Sequence, residues 1–360
     1  MRRVFISDCE GPISKNDNAF EIMARFVPHG DKIFAVTSRY DDALADVLKK
    51  SGYKAGDTLK LVLPFLKAYD VTDEKIRDFS ARNLVLITNI KNSLRHISNI
   101  ATSYIVSTSY EHYIRALCEA VEFPFKNTYC TRLNLDEYDV TQEEKEQLKK
   151  IGHEIAQMPV FEIPPEARSF KDLSKNVRST IEKLDEIFWE TIDEMHVGRI
   201  YSEVNPVGGS EKAEAINDVV HKLNVALADV MYVGDSITDE EAFKFVKENG
   251  GLAVSFNGNQ YAVKNAEIAL ISADSLATAI IAEAFIRYGK GETLDLVANW
   301  SVETLAKSSG DQELIDNFLK LHPRELPKVK IITKGNMENL ARESTEFRKK
   351  VRGETVGKMG

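Results

Sequence analysis

Four short segments of the sequence carry most of the side chains that could do chemistry. Each combines carboxylate, hydroxyl or ammonium groups with glycine, proline or small residues, a composition typical of tight turns. Turns of this kind expose polar side chains and backbone N–H groups to a ligand. The segments are residues 8–12 (DCEGP), 107–109 (STS), 208–212 (GGSEK) and 234–239 (GDSITD).

The carboxylates of these segments indicate a metal site. Carboxylates that share a small volume raise one another's pKa and repel, and a bound divalent cation removes the repulsion. No pair of His or Cys residues is spaced as a zinc site would require, whereas Mg²⁺ takes oxygen ligands and favours sites shared with phosphate. We therefore predict that Mg²⁺ binds at Asp8, Glu10, Asp235 and Asp239.

The other polar groups suit a phosphate. The hydroxyl of Ser107 can donate to a phosphoryl oxygen, and Lys212 adds a positive charge near the start of a predicted helix, where backbone N–H groups point outward. An ionised Asp8 could attack phosphorus, and Glu10 could donate a proton to the leaving group. We predict catalytic roles for Asp8, Glu10, Ser107 and Lys212.

Apolar runs predict the elements that position these groups. Continuous apolar runs at 4–7, 104–106, 230–233 and 252–256, and a weaker one at 268–271, indicate strands buried on both faces. Helical patterns at 111–121, 212–223 and 240–247 alternate with them, which predicts a doubly wound parallel α/β sheet. Ligands bind at the carboxyl ends of such strands, so the residues after the strands should meet there.

Two helical stretches interrupt this alternation. We predict an α/β core of residues 1–14, 99–134 and 197–290, a helical cap of residues 15–98, a second helical insertion of residues 135–196 and a helical extension of residues 291–360. Within the cap, helices are predicted at 19–26, 39–50, 59–69, 73–82 and 90–100, with a short strand or buried turn at 84–88.

Composition excludes several classes of protein. The 360 residues include 47 Lys and Arg against 56 Asp and Glu, a net charge of −9, which disfavours binding to nucleic acid or anionic membranes. Three unpaired cysteines argue against a disulfide scaffold. The apolar stretch at 275–286 is too short to span a membrane and predicts a core helix, so we expect a cytoplasmic protein without membrane insertion.

The end of the chain is basic. From residue 324 onward there are 10 basic and 5 acidic residues, a local charge of +5. The cluster at 348–352 (RKKVR) predicts a solvated or disordered end, or alternatively a surface that docks a protein partner.

Taken in order, the four segments resemble the four motifs of the haloacid dehalogenase (HAD) superfamily. Asp8 matches the nucleophilic aspartate of that pattern, Ser107 its phosphate-binding hydroxyl and Lys212 its lysine near the start of a helix. Asp235 and Asp239 match its acidic metal-binding motif. The position of the cap is similar to the phosphoserine phosphatase-like branch, and the whole arrangement also resembles an archaeal HAD-like group labelled as a subunit of an energy-converting hydrogenase.

The resemblance implies further site residues and two departures from the family pattern. Asp17 lies where related caps contact the substrate. Glu10 stands where the family usually has aspartate, and the extra methylene displaces the acid. Thr108 and Ser109 replace two glycines and would narrow the substrate pocket, so we count Thr108, Ser109 and Asp17 as candidate substrate-binding residues.

The resemblance also implies an activity. It indicates an Mg²⁺-dependent phosphatase or phosphotransferase that acts on a small phosphorylated metabolite through an aspartyl-phosphate. The alternative is a catalytically weak subunit that regulates or binds a larger complex. Cleavage of carbon–halogen bonds fits less well, because enzymes of that type do not need the acidic metal motif found at 234–239.

Overall fold

A seven-stranded sheet forms the centre of the computed structural model, which describes residues 2–164 and 166–358. Its strands are β1 Val4–Ser7, β2 Thr102–Tyr110, β3 Thr128–Thr131, β4 Val230–Gly234, β5 Leu252–Phe256, β6 Ile268–Ile271 and β7 Lys328–Ile331. They lie in the order β3-β2-β1-β4-β5-β6-β7. All neighbours are parallel except β6 and β7, which are antiparallel. The predicted doubly wound α/β fold is therefore confirmed.

The central strand sets the level of the site. In β1, Ser7 pairs with Ile105 of β2 on one side and with Val233 of β4 on the other. The three strands therefore reach the same edge of the sheet together. Asp8 and Asp235 directly follow β1 and β4, so they lie side by side at that edge.

The sheet differs from the prediction at its margins. Strand β2 continues through residues 107–109, which we expected in a loop, and its register with β3 shifts between Val106 and Tyr110. The irregularity allows the segment to pair while it turns side chains toward the edge. Strand β3 begins and ends with threonine, and β7 has lysine at alternate positions, so both lack the apolar run of a central strand. Of the two alternatives predicted at 84–88, a short strand or a buried turn, the structure shows only isolated bridges at Leu86 and Thr88.

Eighteen α-helices are described around this sheet. The first insertion holds α1 Asn18–Phe26, α2 Gly30–Asp42, α3 Thr58–Leu61, α4 Leu63–Ala68, α5 Asp73–Arg82 and α6 Ile90–Ile100. Helix α7 is Glu111–Val121, and the second insertion holds α8 Gln142–Gln157, α9 Lys175–Asp185 and, just beyond it, α10 Ile200–Glu203. The remaining helices are α11 Ser210–Leu223, α12 Glu240–Glu248, α13 Gln260–Asn265, α14 Leu276–Tyr288, α15 Lys290–Ala298, α16 Val302–Lys307, α17 Gln312–Leu321 and α18 Met337–Arg352.

Helix boundaries follow local chemistry. The predicted ranges 73–82, 90–100 and 111–121 match α5, α6 and α7, whereas the helix predicted at 39–50 begins earlier as α2 and ends in a π-helical turn, Ala43–Val47. The helix predicted at 59–69 is divided at Val62, because Pro64 lacks the N–H that a continuous helix would need and lies in the first turn of α4.

The two inserted stretches share one hydrophobic core. Phe65 of the first packs against Phe188 of the second, with ring centroids 6.5 Å apart. The hydroxyl of Tyr40 donates to Asp185 at 2.6 Å and accepts from Nε1 of Trp189 at 2.8 Å. Side chains that cross between the stretches hold them together as a single cap, although the domain boundaries given above stay predictions.

The C-terminal extension returns to the sheet. Helix α14 is buried from Leu276 to Phe285, as a core helix should be, and no described helix has the length and apolar character needed to cross a membrane. In α18, Leu340 packs against Val263 and Ala269. The predicted solvated end is wrong for Arg348 and Arg352, whose side chains are only 3% and 5% exposed.

Candidate active site

Three aspartates from two strand ends meet at the carboxyl edge of the sheet. The backbone N–H of Asp8 donates to Val233 O at 2.8 Å, which extends the parallel pairing of β1 and β4 by one residue. Carboxylate oxygens of Asp8, Asp235 and Asp239 all lie within 4.8 Å of one another, and the three side chains are buried. Strand topology thus brings together residues more than 220 positions apart, as the positions of the apolar runs predict.

Lys212 is the cation that faces this cluster. It belongs to the first turn of α11, and its Nζ lies 2.9 Å from Oδ2 of Asp8 and 2.7 Å from Oδ1 of Asp239 with no exposure to solvent. Burial alone would lower the pKa of Lys212, but the two carboxylates raise it above its ordinary value. Lys212 is therefore a fixed positive charge at the base of the site.

Asp239 organises the loop after β4. Its Oδ1 accepts from Lys212 and from the hydroxyl of Tyr232 at 2.6 Å, and its Oδ2 accepts from the N–H groups of Asp235 at 2.8 Å and Ser236 at 3.0 Å. Burial tends to raise the pKa of Asp239, yet Lys212 and these donors hold it below its ordinary value. With both oxygens already accepting two hydrogen bonds, Asp239 positions Asp235 and Lys212 rather than presenting a vacant oxygen to a metal.

Asp8 has a different environment. Burial, with smaller contributions from Asp239 and Asp235, raises the pKa of Asp8 to about 7, while Lys212 opposes the increase. Its Oδ1 accepts from the N–H of Cys9 at 2.6 Å. The thiol of Cys9 is itself buried, and that burial raises its pKa.

Glu10 faces the cap. Its Oε1 accepts from the N–H of Asn18 at 2.7 Å, at the start of α1. Burial and the nearby Asp17 raise the pKa of Glu10 well above its ordinary value, although Arg352 opposes this. The carboxylate of Glu10 does not belong to the cluster formed by the three aspartates, so the structure separates it from the predicted metal ligands. A half-buried carboxyl with a raised pKa is suited to hold a proton.

Residues 107–109, which carry three hydroxyl groups, are divided between the cavity and the core. Ser107 and Thr108 line the cavity above the aspartates, where Thr108 donates to Val207 O at 3.0 Å and Ser107 Oγ accepts from the N–H of Ser109 at 3.2 Å. Ser109 is buried but does not line the cavity. The structure therefore does not bring Ser109 to the cavity, although it lies in the same strand as Ser107, where the pairing of β2 with β3 is irregular.

The cavity is small and rich in carboxylates. Its volume is about 100 Å³. Asp17 lines it and caps α1 by accepting from the N–H of Phe20 at 3.1 Å. The cap also contributes Phe34, Asp41, Asp42, Thr58 and Leu59 to the walls. The cap and the sheet edge together enclose the space above Asp8.

Gly11 is required by close packing against Asp235. Its φ of +106° lies in the region that favours glycine. A Cβ at this position would fall 1.9 Å from Oδ2 of Asp235. The turn after β1 can therefore approach the second aspartate only because this residue has no side chain.

Two arginines of α18 complete the site, and they are the functional residues that the sequence reasoning missed. Nη1 of Arg348 contacts Oδ2 of Asp235 and also lies 3.3 Å from the Asp235 backbone O. Nη1 of Arg352 lies 3.1 Å from the same Oδ2. Burial raises the pKa of Asp235, while the two guanidinium groups oppose the increase. The basic end of an otherwise acidic chain was the signal available in the sequence.

The donor set fits a hard divalent cation. Asp8 and Asp235 offer carboxylate oxygens in a buried cluster that contains no His or Cys side chain, and oxygen donors of this type are the ligands of Mg²⁺. Because Gly11 has no Cβ, the space next to Oδ2 of Asp235 is not filled by a side chain at this position. Oδ2 of Asp235 is, however, already held by Arg348 and Arg352, so a cation and the arginines would compete for one carboxylate.

Comparison with known proteins agrees with this architecture. A family model described as haloacid dehalogenase-like hydrolase matches residues 82–281, more than half of the chain. The gene product AF1437 of Archaeoglobus fulgidus has 25% sequence identity and a TM-score of 0.81, over 100% of this chain and 99% of its own.

More distant structures include phosphoserine phosphatases. An apo form has 12% identity and a TM-score of 0.47, over 81% of this chain and 100% of its own. A substrate-bound complex has 13% identity and a TM-score of 0.47, over 76% of this chain and 95% of its own. A search of curated proteins by sequence found no match.

Proposed function

This chain belongs to the haloacid dehalogenase-like hydrolases, and from that premise we propose that it is an Mg²⁺-dependent phosphatase or phosphotransferase acting on a small phosphomonoester. The predicted membership of the superfamily is confirmed by the family model. The narrower resemblances, to the phosphoserine phosphatase-like branch and to the hydrogenase-associated archaeal group, stay predictions.

One observation carries the proposal. Asp8, Asp235 and Asp239 lie together with the buried Lys212 at the carboxyl edge of a parallel sheet, and a cap encloses the space above them. When bound, Mg²⁺ would be held by Asp8 and Asp235 and would supply positive charge toward phosphoryl oxygens. The buried ion pair of Lys212 and Asp239 holds the carboxylates of Asp8 and Asp235 in position away from solvent.

The residues divide the chemistry as follows. An oxygen of Asp8 forms a bond to phosphorus while the bond from phosphorus to the ester oxygen breaks. Glu10, protonated because its pKa is raised, gives its proton to the departing alkoxide. Glu10 then takes a proton from a water or alcohol whose oxygen attacks phosphorus, and Asp8 is released. Ser107 lies on the cavity wall and can donate to a phosphoryl oxygen.

The cavity limits the substrate. A volume of about 100 Å³ accommodates a phosphoryl group and a few further heavy atoms while the cap is closed. The cap helices also exclude bulk water from the reacting groups. We therefore propose a small phosphorylated metabolite as substrate, and a cytoplasmic location is consistent with such a substrate.

Turnover on a panel of small phosphomonoesters in the presence of Mg²⁺ tests the proposal. We expect phosphate release from at least one ester, and the substitution Asp8→Asn should lower it by roughly 10³-fold or more, because the amide cannot attack phosphorus. The matched control is Asp295→Asn, which makes the same change on the exposed surface of α15 and should leave turnover unchanged. Equal activity in Asp8→Asn would exclude the proposed nucleophile.

The arginine contacts favour a second candidate function. A chain whose Asp235 is already paired with Arg348 and Arg352 could serve as a regulatory or interaction subunit with little catalysis. This alternative predicts no turnover on the panel, even for variants that lack both arginines, and elution of the native protein in a large complex during size-exclusion chromatography.

A further inference from the structure

We propose that α18 controls access of the divalent cation to the site, because Arg348 and Arg352 bind the same carboxylate that a cation needs. In this arrangement α18 and the cation bind Asp235 in turn, and the protein binds its cation only when the last two turns of α18 move away. The inference rests on the proposed metal-dependent function and concerns how that function is regulated.

The contacts of the arginine pair are direct. Both Nη1 atoms approach Oδ2 of Asp235, and Arg348 also reaches the backbone O of the same residue. A guanidinium group has donors only and keeps its charge at all ordinary pH values, so it can replace a metal ion as the partner of a carboxylate.

Charge balance explains why the two states exclude each other. The contacting side chains below the arginine pair are three aspartates and Lys212, with a formal charge of −3 + 1 = −2. Two guanidinium groups neutralise this charge, and so does one divalent cation. Both together would leave +2 on these groups in a buried cluster, where unscreened charge is costly unless Glu10 and Asp17, the other carboxylates near Arg352, are also ionised.

Helix α18, which carries the two arginines, contacts both the sheet and the cap. Leu340, in the first turn of α18, packs on the sheet side, whereas Arg352 donates from Nε to Lys15 O at 3.1 Å and from Nη2 to Asn16 O, at the entry to the cap. Val356, just beyond the helix, packs against the hydrophobic core of the cap. Movement of the last two turns of α18 would therefore remove both arginines from Asp235 and loosen the cap at the same time.

Cation binding measured without any substrate tests this inference. Titration with Mn²⁺, followed by electron paramagnetic resonance, gives the affinity of the full-length protein. The double variant Arg348→Gln/Arg352→Gln should bind Mn²⁺ roughly tenfold more tightly or better. The matched control is Lys349→Gln/Lys350→Gln, which removes the same charge from the same helix turn outside the site and should change the affinity by less than about twofold. Equal affinity of the wild type and the arginine variant would overturn the inference.

A second measurement is made on the wild type, so its main result does not depend on how the arginine variant folds, and Asp235→Asn serves as its control. Mn²⁺ should increase amide hydrogen exchange in residues 345–358, and Asp235→Asn should abolish the Mn²⁺ effect. Unchanged or slower exchange with bound Mn²⁺, or no Mn²⁺ binding by either wild type or variant, would overturn the inference. Because neither readout requires turnover, failure of the proposed function and failure of the inference are distinguishable.

Discussion

Nζ of Lys212 lies 2.9 Å from Oδ2 of Asp8 in a position without solvent exposure. This contact joins the first turn of α11 to the end of β1, and the same ammonium group also contacts Asp239. A buried ion pair of this kind adds little stability relative to apolar packing, but loss of one partner leaves the other charge buried without compensation.

The first prediction concerns the substitution Lys212→Met. Because Asp8 and Asp239 would lose their shared cation, we expect the free energy of unfolding at pH 7 to fall by about 3–5 kcal/mol. Urea denaturation followed by circular dichroism measures it. Lys222→Met is the control on the same helix. This side chain is 58% exposed, so its loss should change the free energy of unfolding by at most about 0.5 kcal/mol. A loss below about 1 kcal/mol for Lys212→Met would contradict the buried-charge account.

The second prediction separates backbone strain from the contact with Asp235. Gly11 and Gly52 both have positive φ values, +106° and +75°, but a Cβ at Gly11 would meet Oδ2 of Asp235 at 1.9 Å whereas a Cβ at Gly52 has nothing within 4 Å. Gly52→Ala should therefore cost only the strain, about 1 kcal/mol. Gly11→Ala should lower the stability measured by thermal denaturation clearly more than Gly52→Ala does. It should also weaken Mn²⁺ binding. Equal effects of the two substitutions would show that the close approach to Asp235 is not required.

The third prediction tests Glu10 as the acid. Glu10→Gln keeps the shape of the side chain and an oxygen that can accept from the N–H of Asn18, but it removes the proton that the leaving group needs. We expect a loss of about 10²–10⁴-fold in kcat/KM, which reports the transfer to Asp8 and not the later hydrolysis, for an alkyl phosphate. The loss should be much smaller for p-nitrophenyl phosphate, whose leaving group needs no proton. A uniform loss across both esters would instead assign Glu10 a role in positioning.

The fourth prediction is a pH dependence of stability in the cap. Burial raises the pKa of Asp41 to about 7, although the hydroxyl of Tyr53 and the N–H of Gly56 oppose the increase. The unfolded chain therefore ionises at Asp41 from about pH 4 upward while the folded protein does not, so this residue lowers the stability of the wild type progressively up to about pH 7 and by a constant amount above it.

Asp41→Asn removes that dependence. Relative to the wild type, the variant should gain stability by an amount on the order of 3 kcal/mol between pH 4 and pH 7, with no further change above pH 7. Urea denaturation of both proteins at several pH values measures the difference. A constant difference between the two proteins across this range would show that Asp41 ionises normally in the folded state.

Strand ends explain how much of the site could be predicted from sequence. Asp8 and Asp235 follow short apolar runs that could only be buried strands, and parallel strands bring such residues to one edge. Lys212 is placed by the helix that precedes β4, so its approach to Asp8 follows from the same pattern. Helices α5, α6 and α7 were predictable because their apolar residues repeat at helical spacing and their ends are marked by polar residues.

Long-range packing explains what could not be predicted. Nothing in the spacing of Arg348 and Arg352 shows that α18 runs back across the sheet to Asp235, because that path depends on the antiparallel pairing of β7 with β6. Ser109 was misplaced for a related reason. A strand that continues through an irregular pairing leaves no mark in a run of Ser and Thr residues.

The position of β1 between β2 and β4 has a consequence for how the protein matures. Its two partners are contributed by segments about 100 and 225 residues later in the chain, so the first strand stays unpaired during much of synthesis. Until β4 arrives, Asp8 is an ordinary hydrated carboxylate, and the electrostatic repulsion of the finished cluster is postponed to the closing stage of folding. A ribosome-bound chain that ends before residue 230 would therefore hold one of the three clustered aspartates, Asp8, without the β4 residues that help to bury it.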